Sequence, residues 1–87
     1  PGIANTLIYM ARFFELNEKY FTAVKLLYAA IQTIESLGIV FNFNAENQKN
    51  ELAVRLTKTL SEEEFTKYRD EGKKMTLEEA CQLAMNG

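Results

Sequence analysis

Apolar residues recur every three or four positions along the first part of the chain, which predicts two helices separated by a short polar turn. The first helix is expected to run from Ile3 to about Leu16, where the polar segment 17–19 interrupts the pattern before Tyr20. Because the connection is so short, the two helices must run antiparallel and form a helical hairpin.

The second helix, from Tyr20 to Leu37, carries two neighbouring rows of apolar residues. The first row is Ala23, Leu27, Ala30, Ile34 and Leu37, and the second is Val24, Tyr28 and Ile31. Two apolar rows require two packing partners, so we expect this helix to lie between its neighbours. The small side chains of Ala23 and Ala30 let another backbone approach closely.

Gly38 predicts the end of the second helix, and the apolar, aromatic segment that follows is too short for a helix. We therefore expect an extended strap over residues 38–44, with Phe41 or Phe43 filling a gap between helices. The alternative is that one of these aromatic side chains anchors a partner protein. Asn44 is expected to cap the next helix.

Three further helices are predicted within residues 45–86. The third helix spans about 45–60, with an apolar stripe at Leu52, Ala53, Leu56 and Leu60. Capping boxes then open two shorter helices, at Ser61 with Glu64 and at Thr76 with Glu79. The fourth helix carries Phe65 and Tyr68 and is expected to close at Gly72. The inward residues of the fifth are Leu77, Ala80, Cys81, Ala84 and Met85.

Composition limits the chemistry. The 87 residues make a single helical domain, 1–87, with a net charge of −2, which argues against nonspecific attraction to nucleic acid or anionic membranes. The chain has no histidine and one cysteine, Cys81, which removes the usual zinc sites and histidine-activated nucleophiles. The chain also has no apolar run long enough for a membrane span, so we expect a cytoplasmic protein. We further expect that it is not an enzyme and has no catalytic residues, cofactor or metal site.

The first two helices resemble a tetratricopeptide repeat. The residues that carry the resemblance are Leu7, Met10, Ala11 and Phe14 on the first helix and Tyr20, Ala23, Leu27 and Ala30 on the second. The family often has Gly in the turn position that Glu18 holds here. The resemblance implies an all-α fold: a tetratricopeptide-like antiparallel hairpin (3–37), the strap (38–44) and three capping helices (45–86) in a right-handed α-solenoid.

The second half has a resemblance of its own. The order of residues from Leu60 to Phe65, then Glu71-Gly72 and Met75 to Ala80, is similar to the closing segment of the helical-repeat region in bacterial signal-transduction ATPases (STAND), including LuxR-type regulators. This resemblance implies a noncatalytic protein-interaction or signal-sensing module at the C-terminal end of a regulator. It also implies that the chain is a piece of a longer protein.

Tetratricopeptide hairpins hold peptides on the inner face of their first helix, and in this register that face shows Asn5, Ile8, Arg12 and Glu15. Asn5 and Arg12 would bind a peptide backbone or a terminal carboxylate, since arginine presents a planar fork of donors. The alternative is that the four residues form a solvated edge or contact a neighbouring repeat, because about three repeats are needed for a stable array.

A purely structural or self-associating cap is the main competing function. Apolar residues of the first helix, especially Ile3, Leu7 and Ile8, would drive a homodimer if they were left bare.

DNA binding is disfavoured, because the fifth helix begins with two carboxylates where base or phosphate contacts would be needed. The cations that could contact nucleic acid lie before that helix, at Lys67, Arg69, Lys73 and Lys74. The acidic run 62–64 suits helix capping better than metal binding.

Overall fold

The computed structural model describes residues 2–38 and 43–86, in which the backbone forms five helices and no strand. The helices are α1 (Gly2–Leu16), α2 (Tyr20–Leu37), α3 (Phe43–Thr59), α4 (Glu62–Lys74) and α5 (Leu77–Asn86). The predicted all-α class is confirmed, and the bounds of α1 and α2 match the apolar pattern closely. The differences lie in α3, α4 and α5.

The α1–α2 turn is closed by backbone hydrogen bonds. The Lys19 N–H donates to the Phe14 carbonyl at 2.8 Å, and the Glu18 N–H donates to the Glu15 carbonyl at 3.0 Å. These two bonds form a Schellman motif, in which the residue just past the helix takes a left-handed conformation. Glu18 is that residue, with φ 61°. A glycine would adopt this conformation at lower cost, which explains the preference of the tetratricopeptide family at this position.

Helix α2 is central to the fold and contacts each of the other four helices among the described residues. Its buried residues are Ala23, Val24, Leu26, Leu27, Ala29, Ala30 and Ile34. The expected position between neighbours is confirmed, but burial extends further around the helix than two rows, since Leu26 and Ala29 are also enclosed. Leu37, placed in the first row, is exposed, because it is the last residue before Gly38 ends the helix.

Helix α3 begins earlier than the sequence suggested. Phe43 is its first residue, so Asn44 lies inside the first turn and is not the N-cap. The side chain of Phe43 is 80% exposed, so it does not fill a gap between helices. Phe41 and the rest of segment 39–42 lie outside the described residues. Leu52 and Leu56 are fully buried, as predicted.

Both predicted capping boxes are present. Ser61 Oγ accepts from the Glu64 N–H at 3.1 Å, and Thr76 Oγ1 accepts from the Glu79 N–H at 3.1 Å, each with the reciprocal bond from the glutamate side chain. A hydroxyl and a carboxylate thus satisfy backbone groups that would otherwise lack partners. Glu64 of the acidic run therefore serves as a capping residue.

Gly72 does not end α4, which continues to Lys74. It is buried where α4 crosses α2, and a Cβ at this position would lie 2.6 Å from the Lys25 carbonyl oxygen. The glycine therefore permits two backbones to touch, and the prediction of a C-terminal stop was wrong. In α5, Ala80 and Ala84 are buried and Cys81 is half-buried, but Leu77 and Met85 are 36% and 76% exposed instead of facing inward.

Candidate interaction surface

The four residues predicted to bind a peptide do not line an open groove, because α3 packs across this side of α1. Ile8 is fully buried and cannot contact a peptide in this conformation. Arg12 Nη1 donates a hydrogen bond to Gln48 Oε1 on α3 at 2.7 Å. Asn5 is half-buried, and its Oδ1 accepts no hydrogen bond from the described residues.

Glu15 is the most enclosed charged group of this side, with its side chain 10% exposed. Arg55 of α3 donates to both carboxylate oxygens, from Nε at 2.7 Å and from Nη2 at 3.0 Å. The hydrogen bond to Glu15 raises the pKa of the Arg55 guanidinium further above its ordinary value, so the pair is ionic at any ordinary pH. Arg12 adds a more distant charge, with its Nε 3.8 Å from Glu15 Oε1.

Of the four predicted residues, Arg12 and Glu15 thus bind α3 of the same chain, Ile8 is buried and Asn5 is half-buried. The sequence of α3 contains the pattern that could have predicted its packing on α1. Gln48, Leu52 and Arg55 follow one another at steps of four and three, so they share one helical face. On that face Gln48 and Arg55 bond to Arg12 and Glu15 of α1, and Leu52 between them is buried.

The exposed apolar surface of α1 lies next to the side that α3 covers. Tyr9, Phe13 and Leu16 are 44%, 59% and 67% exposed, and their spacing of four and three places them on one face, which we call the outward face. Leu7 and Ile8, whose exposure would have driven a homodimer, are buried, and the side chain of Ile3 lies outside the described residues. The outward face was not predicted from the sequence, because the apolar residues of α1 were assigned to the hairpin contact.

The three side chains of the outward face are uncharged, and charged side chains adjoin it at Leu16, which shares a depression with Arg12 and Glu18. Arg12 and Glu15 are the charged residues of α1, and both are held against α3. The other exposed residues on this side, Thr6 and Asn17, are polar but neutral. Charged residues make up 25% of the chain, so a helix face without them stands out. Aromatic residues are enriched, and charges depleted, at the centres of protein interfaces.

The ring of Phe13, at the middle of the outward face, contacts a buried aromatic side chain. Phe13 lies edge-on to the buried Phe14, with ring centroids 5.6 Å apart and planes at 75°. Asn17 closes the end of α1 by donating from Nδ2 to the Phe13 carbonyl at 2.8 Å. A side chain that is already ordered loses less conformational entropy when a partner covers it.

At its C-terminal end the outward face meets a shallow depression between α1 and α3, with a volume of about 600 Å³. Its lining residues are Arg12, Glu15, Leu16, Glu18, Tyr20, Arg55, Lys58 and Thr59. Three cations and two carboxylates share it, and the Glu15–Arg55 pair occupies its floor. We interpret it as an ion-pair network that joins the two helices, with Leu16 at the boundary to the apolar surface.

A second group of polar and aromatic side chains lies between α2 and α4. Tyr68 stacks on Phe21 with ring centroids 4.3 Å apart, and the amino groups of Lys25 and Lys67 each lie 5.3 Å from its ring. Lys25 also pairs with Glu71 at 3.4 Å.

The cations weighed for DNA binding are used in similar ways. Lys67 lies over Tyr68, Lys73 lies 5.9 Å from the Tyr28 ring, and Arg69 is 3.5 Å from Asp70. Acidic residues alternate with them along α4. Nucleic-acid binding therefore gains no support from the placement of these cations.

Two further properties concern the described residues alone. Across 2–38 and 43–86, His, Cys, Asp and Glu side chains form no group of three or more that could hold a metal ion. None of the helices in these two ranges is both long and apolar enough to cross a bilayer.

Comparison with protein-family models, with curated proteins and with solved structures found no match to this chain. Among the described residues, the outward face of α1 is the most distinctive part of the surface.

Proposed function

We propose that this chain is a noncatalytic helical module that binds another protein through the outward face of α1. The observation that carries the proposal is the row of exposed, uncharged Tyr9, Phe13 and Leu16 on one helical face. Contiguous apolar surface of this kind marks interaction sites on soluble domains. An ordered aromatic side chain at its centre is the usual anchor of such a site.

The wider context that we propose is the closing segment of a tetratricopeptide-like solenoid in a bacterial STAND regulator. The residue pattern of α1 and α2, and the order of residues from Leu60 to Ala80, support it. In that setting the outward face would contact a neighbouring repeat or an effector protein. The residues proposed for binding are thus Tyr9, Phe13 and Leu16, in place of Asn5, Ile8, Arg12 and Glu15.

A photo-crosslinking amino acid at position 13 tests this proposal in cells that produce the protein. We expect covalent adducts from position 13 and none from a matched control at Asp70, an exposed residue of α4. Mass spectrometry would identify each adduct. If positions 13 and 70 give the same adducts, or neither gives any, the outward face is not an interaction site.

A self-associating cap is the second candidate, and a specific observation favours it. The three exposed side chains of the outward face are uncharged and largely apolar, so they can pack against the same side chains of a second copy. The crosslinking experiment separates the two candidates, because an adduct between two copies has twice the mass of the 10.0 kDa chain.

A further inference from the structure

We infer that α3 is a lid on α1: it opens as a unit while α1, α2 and α4 stay packed together, and its opening uncovers Arg12 and Glu15. The inference concerns the side of α1 next to the outward face, so it does not depend on the proposed function. It is carried by the packing of α2 on α4, by the small number of buried side chains in α3, and by the polar bonds between α3 and α1.

Helix α3 lies between α2 and α4 in the sequence, but α2 and α4 pack directly on each other. Tyr68 of α4 stacks on Phe21 of α2, and the buried Gly72 lies against the backbone of Lys25. These contacts do not involve α3. Helix α4 also begins with its own capping box at Ser61, so its first turn does not need α3. The α2–α4 contact can therefore persist when α3 leaves.

The apolar contact that holds α3 is small. Three of its 17 residues are buried, namely Ala45, Leu52 and Leu56, whereas seven of the 18 residues of α2 are buried. Because burial of apolar surface is the main favourable contribution to packing, α3 is the more weakly held of the two helices. An isolated helix of this length is marginal in water, so α3 loses its backbone hydrogen bonds once it leaves α1.

The other contacts between α3 and α1 are polar and partly open to water. Arg55 donates to Glu15, and Arg12 donates to Gln48. The side chains of Arg12 and Arg55 are 35% and 38% exposed. When α3 opens, water replaces these bonds on both partners, so no charge is left buried without a partner. The bonds therefore fix the position of α3 on α1 but add little to its hold.

The lid gives the chain two states. In the closed state Arg12 and Glu15 are bonded to α3, and in the open state water or another molecule can reach them. A ligand that pairs with these two charges binds the open state alone, and it shifts the population toward that state. Helix α3 is thus an autoinhibitory contact on this side of α1.

Hydrogen exchange of the purified protein, followed by mass spectrometry of peptides from 22–36 and 45–58, tests the inference. The slowest amides of α3 should exchange at least about tenfold faster than the slowest amides of α2, because they need only the local opening. Urea below the unfolding transition should accelerate α2 more steeply than α3, since the opening of α3 exposes less surface than global unfolding.

Two variants separate a lid from a single cooperative unit. Gly72→Ala weakens the α2–α4 contact, which is intact in both the closed and the open state. It should therefore accelerate exchange of α2 by about fivefold or more and change that of α3 by less than about twofold. Arg55→Ala removes bonds that exist only in the closed state, so it should accelerate both helices by about fivefold or more. Lys74→Ala, at an exposed position of α4, is the control and should leave both helices unchanged.

Equal acceleration of α2 and α3 by Gly72→Ala would overturn the inference, because α3 would then open only when the whole chain unfolds. An equal dependence of α2 and α3 on urea in the wild type would overturn it without any substitution. Circular dichroism would confirm that the three variants fold.

Discussion

Arg55 of α3 donates two hydrogen bonds to the carboxylate of Glu15 on α1, at 2.7 and 3.0 Å. Arginine forms this bidentate arrangement because its planar fork of donors matches the two oxygens of a carboxylate. The pair links α1 to α3 through two residues that are 40 positions apart in sequence. It also covers the side of α1 that the tetratricopeptide resemblance assigned to peptide binding.

Replacing Arg55 with Ala should destabilise the protein by about 1–2 kcal/mol, because Glu15 would keep its buried charge without its main partner. The figure is at the low end for such pairs since Arg55 is partly exposed and solvent screens it. Arg55→Lys should recover little of the loss, because lysine cannot form both bonds. Urea unfolding measures the change, with Lys74→Ala on the exposed surface of α4 as the control. Equal stabilities of Arg55→Ala and Lys74→Ala would contradict the role assigned to the pair.

Gly72→Ala should destabilise the protein by about 1–3 kcal/mol. A Cβ at this position would lie 2.6 Å from the Lys25 carbonyl oxygen, so α4 would have to move away from α2. The direction of the change is diagnostic, because Gly→Ala in an exposed helix interior stabilises by about 1 kcal/mol. Thermal unfolding measures it, and Asp70→Ala at an exposed position of α4 should change stability by less than about 0.5 kcal/mol. A stabilising Gly72→Ala would show that the two backbones do not touch.

Glu18→Gly should stabilise the protein by up to about 1 kcal/mol. Glu18 has φ 61°, a conformation that is costly for residues with a Cβ, and glycine would remove most of that cost. Part of the gain is offset by the greater freedom of glycine in the unfolded chain. Chemical denaturation gives the change in the free energy of unfolding. Glu63→Gly, within α4, provides the opposite case and should lose about 1 kcal/mol. The prediction fails if both variants lose stability.

Tyr28 should make stability depend on pH in the alkaline range. Burial raises the pKa of its phenol above the ordinary value of 10.0, while the charge of Arg69 lowers that pKa to a smaller degree. The folded state therefore holds the phenolic proton more tightly than the unfolded state. Its contribution to stability is present below about pH 10 and is lost as the pH rises further.

Urea unfolding from pH 8 to 11 would measure this dependence in the wild type and in Tyr28→Phe. The variant keeps the edge-on ring contact with Phe65, whose centroid lies 5.8 Å away, but it has no hydroxyl to titrate. Its free energy of unfolding should fall less steeply above pH 10. The same slope in both proteins would mean that other groups cause the alkaline loss.

The sequence alone predicted the features that depend on neighbours within a few positions. The capping boxes at Ser61 and Thr76 and the end of α2 at Gly38 were all read from local patterns and are confirmed. Such features are predictable because the hydrogen bonds that form them join residues three or four positions apart. The buried stripe of α3 at Leu52 and Leu56 followed from helical periodicity in the same way.

Only the tertiary structure decided which sides of these helices are open. Periodicity shows that α1 is amphipathic, but it does not show that Gln48 and Arg55 of α3 would cover Arg12 and Glu15 and leave Phe13 exposed. In the same way, Gly72 resembles a helix stop in sequence, and its role depends on the backbone of Lys25 lying against it. The physical reason is that local hydrogen bonding and apolar spacing set each helix, whereas exposure depends on where distant helices pack.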